Sequence, residues 1–110
     1  AGATKGMRVM DEEVFGPVLS VIVFEEIEKA IQGANDTPYG LSAGIFTRDI
    51  GCAMTAARTL RFGAVHINET SSSRADAMPF GGVKDSGFGR EGPEFAIQEY
   101  TEERLVTLTS

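Results

Sequence analysis

The chain has 110 residues, enough for one small domain, with an ordinary apolar share of 42% and charged share of 24%. Its net charge of −6 and its scattered cations, apart from the loose pair Arg58 and Arg61, argue against a nucleic-acid surface, which needs clustered Lys and Arg. It has no run of about 18 apolar residues to span a membrane, no apolar signal core in Ala1-Gly2-Ala3-Thr4-Lys5-Gly6, and a single cysteine that fits a reducing cytoplasm.

In chain order, Gly16-Pro17 marks a turn, and the β-branched run Val18-Leu19-Ser20-Val21-Ile22-Val23-Phe24 predicts a buried strand. Glu25 to Ala34 predicts a helix, with Ile27, Ala30, Ile31 and Ala34 on one side and acids in the first turn. Asn35-Asp36-Thr37-Pro38-Tyr39-Gly40 breaks it. Leu41 to Thr47 predicts a second strand. The next helix runs to about Leu60, with Asp49 or Thr47 as its N-cap and Cys52, Ala53, Ala56, Ala57 and Leu60 on its apolar side. Gly63 marks its end, and Ala64-Val65-His66-Ile67-Asn68 predicts a third strand. The order is β-α-β-α-β, an α/β arrangement that favours a parallel sheet. From Glu69 to Pro93 the chain is rich in glycine, serine and proline, and a loop this long is uncommon unless functional or disordered. A short helix over Glu94 to Thr101 and an alternating strand over Arg104 to Thr109 close the chain. That last strand is free to pair with another chain.

Several motifs admit a functional and a bland reading. Gly87-Phe88-Gly89-Arg90-Glu91-Gly92 spells the dinucleotide fingerprint G-x-G-x-x-G, but it follows a loop rather than a strand and Pro93 comes next, so it fails the structural context. Cys52 stands at a helix start, where a thiolate can be stabilised, yet its apolar spacing favours a small core residue. His66 has no second ligand at metal spacing and reads as structural. Glu12 and Glu13 before Phe15 are either two solvated acids or a carboxylate and aromatic face suited to a sugar. Arg74 either pairs with Asp76 or offers its donor fork to an anionic group among the hydroxyls of Ser71, Ser72 and Ser73. The Asn-x-Thr triplets at Asn35 and Asn68 read as chance without a secretory context.

Five ordered segments together resemble the aldehyde dehydrogenase family: Glu12-Glu13-Val14-Phe15-Gly16-Pro17, Asn35 to Ala43, Phe46-Thr47-Arg48-Asp49, Gly63 to Asn68, and Pro79 to Gly92. The resemblance runs from Met7 to the end and places the chain in the C-terminal part of that enzyme. It implies residues 1–101 as part of the catalytic domain and 102–110 as an oligomerisation strand joining a homo-oligomer. It implies oxidation of an aldehyde to a carboxylic acid with NAD or NADP, in a longer parent whose catalytic cysteine lies upstream, so that the isolated chain is inactive. Glu13 matches the family's nicotinamide-ribose glutamate and Phe15 the aromatic residue beside the nicotinamide. Phe80 falls on the aldehyde tunnel and Glu69 to Ala75 on the loop at its mouth. With Ser72 and Arg74 in that loop, the resemblance points to a small hydroxylated or anionic aldehyde. The alternatives are a non-catalytic module that associates with a full-length subunit through its terminal strand, and an enzyme that uses Cys52 itself.

Overall fold

A computed structural model describes residues 2–110. Among these residues four α-helices and two strands form: α1 (Arg8–Asp11), α2 (Ile27–Asn35), β1 (Ser42–Ile45), α3 (Ile50–Thr59), β2 (Ala64–Ile67) and α4 (Pro93–Tyr100), with a 3-10 turn at Lys84–Ser86. β1 and β2 pair in parallel, Ser42 opposite Ala64 and Ile45 opposite Ile67. α3 crosses between them and packs on β2, while α2 packs on α3. This is one β-α-β unit, for which a parallel pair needs a crossover of about a dozen residues.

Local chemistry accounts for this unit. The Asp49 carboxylate accepts from the Gly51 and Cys52 amides, so Asp49, rather than Thr47, caps α3. The helix ends where the Leu60 amide donates to the Ala56 carbonyl at 2.9 Å. Its buried face is narrow: Ala53 and Ala56 are the core residues of the described chain. Small side chains there let α3 lie close on β2. The ends of the unit are tied by two asparagines. The Asn35 side chain donates to the Thr59 carbonyl at 2.8 Å and accepts from the Arg61 amide at 2.7 Å. Asn68, in the left-handed region at φ 57°, accepts from the Thr47 amide at 2.8 Å. The Asn35 amide is therefore spent inside the fold at both ends, and the Asn68 amide through its oxygen.

Two expected strands carry no ladder. Val18–Phe24 and Arg104–Thr109 have strand composition but pair with nothing among the described residues, leaving Val23 91% and Leu108 96% exposed. The β-α-β-α-β sheet is thus corrected to a two-stranded one. The reason is physical: a strand is made by a neighbour's N–H and C=O groups, and this chain brings none alongside. Conversely, the four-residue α1 has no apolar period to announce it and is held by Arg8 pairing with Glu12 one turn on. The chain spreads over 75 × 33 × 21 Å with a radius of gyration of 18.6 Å, against about 13 Å for a closed domain of 100 residues.

The segment expected as loop from Glu69 to Pro93 is loop apart from the 3-10 turn and Pro93, which opens α4, and it closes on the β-α-β unit. Phe80 and Glu91 form an isolated antiparallel bridge, with N···O distances of 3.0 and 2.6 Å. At Gly63, which opens β2, a Cβ atom would sit 1.7 Å from the Gly81 carbonyl oxygen. Only glycine permits that approach. α4 then starts with Pro93 in its first turn, after Gly92 at φ 123°. The Gly87–Gly92 string thus joins a 3-10 turn to a helix, the wrong setting for a dinucleotide fingerprint.

Candidate functional site

The folded-back loop and β2 enclose a pocket of about 240 Å³ whose wall includes His66 on β2, Ser42 on β1, and Ser73, Arg74, Met78 and Phe80 on the loop. Arg74 is fixed from two sides. Its guanidinium carbon lies 4.2 Å from the centre of the Phe80 ring, and Nη2 lies 3.1 Å from Glu91 Oε2. The partner is therefore Glu91 and not Asp76, the partner that one of the two readings of Arg74 gave it. The Phe80–Glu91 bridge explains the change, because it places the carboxylate beside the ring on which the guanidinium stacks. One of five N–H donors is used by Glu91, and the fork keeps donors for a ligand.

The other site residues separate. Ser72 does not line this pocket; its hydroxyl lies 2.8 Å from that of Thr70, and its neighbour Ser73 takes the place in the wall. Glu13 and Phe15 lie on the N-terminal segment, away from this wall. Glu12 is bound by Arg8 through both carboxylate oxygens, at 2.9 to 3.0 Å. Glu13 is engaged by no ion pair among the described residues, and Phe15 is 94% exposed. The two acids that looked equivalent in sequence are thus distinguished: Glu13 keeps its acceptors free.

Sequence reasoning missed Ser42 and Glu91, named Ser73 only among the hydroxyls beside Arg74, and gave His66 only a structural role. Ser42 Oγ is buried without a hydrogen-bond partner, a condition that buried hydroxyls seldom keep. The period-two alternation of β2 could have flagged His66, since it shares a face with Ala64. No local signal marks Ser73 within a run of three serines. Cys52 stands half-buried at the start of α3. The Asp49 carboxylate, not its thiol, takes the free amides there. Lys5 lies outside the pocket wall. The Lys5 pKa is raised, first by its hydrogen bond to Asp36 and then by the charges of Asp36 and Asp11.

A parallel β-α-β unit with a glycine-rich loop folded over one strand, bearing a cation stacked on an aromatic ring, defines a segment of the α/β class. The chain belongs to the aldehyde dehydrogenase family, whose model matches residues 1–106. It is 49% identical over 102 residues to a 3-sulfolactaldehyde dehydrogenase of Priestia aryabhattai, covering 93% of this chain and 21% of that protein. Among solved structures, an indole-3-acetaldehyde dehydrogenase of P. syringae in complex with NAD+ superposes with a TM-score of 0.85 at 48% identity, over 92% of this chain and 20% of that one. A glyceraldehyde-3-phosphate dehydrogenase of Methanocaldococcus jannaschii complexed with NADP gives 0.64 at 53% identity, over 66% of this chain and 16% of that one. The chain spans about a fifth of the length of the curated relatives it matches. No helix among the described residues is long and apolar enough to cross a membrane.

Proposed function

We propose that the chain serves as the C-terminal part of an NAD(P)+-dependent aldehyde dehydrogenase, in which it supplies cofactor and substrate contacts and no bond-making group. Residues 1–101 belong to the catalytic domain and 102–110 form a strand that joins a homo-oligomer. When bound, the nicotinamide cofactor supplies the hydride acceptor that turns an aldehyde into an acid-level product. The residues here suit it: Glu13 offers free carboxylate oxygens for ribose hydroxyls, and Phe15 an exposed ring two residues on. Glu13 would hold the ribose and Phe15 would sit beside the nicotinamide. The nucleophilic thiolate that attacks the aldehyde comes from another part of the polypeptide, because Cys52 sits half-buried on α3, outside the pocket wall.

The observation that carries the substrate reading is Arg74 stacked on Phe80 in the pocket wall. A guanidinium held on one face by the Phe80 ring and at one end by Glu91 is preorganised, so an anionic or hydroxylated end of a small aldehyde meets ordered donors. The unpaired Ser42 hydroxyl and Ser73 add polar contacts in the same wall. Ser72 acts from the rim, through Thr70. The relatives named for sulfonated and phosphorylated aldehydes support an anionic group. In the full-length polypeptide that carries this sequence, Arg74→Ala lowers kcat/KM for an anionic aldehyde by about 10- to 100-fold, equivalent to ~1.5–3 kcal/mol, and leaves a neutral aldehyde of equal length unchanged. Equal losses for both substrates would contradict the reading.

A further inference from the structure

Lys84 adopts φ 56°, a left-handed conformation that lysine rarely takes. Strain of this kind persists where the surroundings over-determine it. Its ammonium shows what does so here. Nζ lies 3.1 Å from each of three backbone carbonyl oxygens, those of Asn35, Thr37 and Tyr39, and 5.3 Å from the centre of the Phe62 ring. Three N–H donors meet three acceptors, so the ammonium is fully satisfied. The Asn35 carbonyl is the last of α2, where the end of a helix turns its carbonyls outward, and those of Thr37 and Tyr39 belong to the connection that enters β1.

We infer that this carbonyl triad is an alkylammonium-binding site, occupied in cis by Lys84, and that its occupancy holds the Phe80-bearing loop in register against β1 and β2. The surrounding bonds show how the hold is transmitted. On either side of Lys84, the Val83 amide donates to the Gly40 carbonyl and the Asp85 amide to the Pro38 carbonyl, both at 3.0 Å. The Gly40 amide donates to Ser86 Oγ at 2.8 Å. Just upstream, Gly81 lies against Gly63, and Phe80 directly precedes Gly81 in the chain. Lys84 is therefore a positioning residue for the substrate pocket, acting through the loop rather than by touching substrate. That half of the inference rests on the proposed aldehyde site; the cage itself does not.

Truncation to alanine removes Cγ, Cδ, Cε and Nζ, which n-propylammonium replaces atom for atom. In the full-length polypeptide, Lys84→Ala lowers Tm by roughly 5 °C or more, because three carbonyls lose their donors. Added n-propylammonium chloride restores Tm in the variant and leaves the wild type unmoved; tetramethylammonium chloride, which has no N–H, does not restore it. The same variant raises KM for the aldehyde with kcat retained, and n-propylammonium brings KM back. A variant Tm indifferent to n-propylammonium would overturn the cage, and restored Tm with an unaltered KM would overturn the positioning role. If no aldehyde is oxidised at all, the aldehyde reading fails while the thermal shift still reports on the cage. Should Lys84→Ala not fold, amine acylation of the wild type decides the matter: Lys84 reacts at least about tenfold more slowly than exposed Lys29 if three hydrogen bonds hold it, and equal rates would refute the cage.

Discussion

Arg74 and Phe80 act as a pair, since the ring fixes the plane of the guanidinium while Glu91 fixes its far end. A cation over an aromatic face is worth about 0.5–1 kcal/mol at an exposed site. Phe80→Leu keeps the bulk and loses the attraction, so KM for an anionic aldehyde rises about two- to fivefold, the same energy read as an affinity. Steady-state kinetics on matched anionic and neutral aldehydes would show this, and an unchanged KM for the anion would count against the pair. At the opposite end of the chain, Lys5 is tied to Asp36, and that hydrogen bond, with the charges of Asp36 and Asp11, raises its pKa. A raised folded-state pKa gives a tether fully present below the ordinary lysine value and lost as pH rises through the raised one. Proteolytic protection of residues 2–12 therefore persists through the ordinary lysine range and falls only above it. Loss of protection at lower pH, with the fold intact, would contradict this tether.

Among the elements, α3 and the entry to β2 hold the pocket in place, and each depends on one side chain or its absence. Asp49→Ala removes the carboxylate that receives two helix amides, and costs about 1 kcal/mol of stability, measurable as a lower denaturant midpoint. Gly63→Ala places a methyl group against the Gly81 carbonyl, backbone on both sides, so the loop must shift. A loss of about 1–3 kcal/mol follows, with Phe80 displaced; a wild-type Tm would show that the contact is slack. α3, β1 and β2 were legible in the sequence because their signals are local: apolar spacing, a capping aspartate and a closing glycine. Val18–Phe24 and Arg104–Thr109 read as strands from composition, but strand pairing depends on what lies alongside, and composition does not supply it. The same distinction holds in the site. Arg74 and Phe80 stood out as residue types in a loop, whereas Glu91 became Arg74's partner through loop closure, seventeen residues along the chain. The Lys84 cage likewise joins residues more than forty positions apart.

Across the whole molecule, apolar surface that a closed domain would cover faces solvent, including Leu19 and Val23 before α2 and Leu105 and Leu108 at the end. Patches of that kind mark surfaces made for other protein. The isolated chain is accordingly expected to associate, and its sedimentation coefficient to rise with concentration; a concentration-independent monomer with a cooperative melt would show these faces to be self-sufficient. Most directly, NAD(P)H formation from a panel of aldehydes separates the possibilities, measured in parallel on the isolated 110-residue chain and on the full-length polypeptide that carries this sequence in its source cells. If the chain positions substrate and cofactor for a nucleophile located elsewhere, the full-length product reduces NAD(P)+ with anionic aldehydes preferred, and the isolated chain reduces none. NAD(P)H formed by the isolated chain, and abolished by Cys52→Ser, would contradict that division of labour.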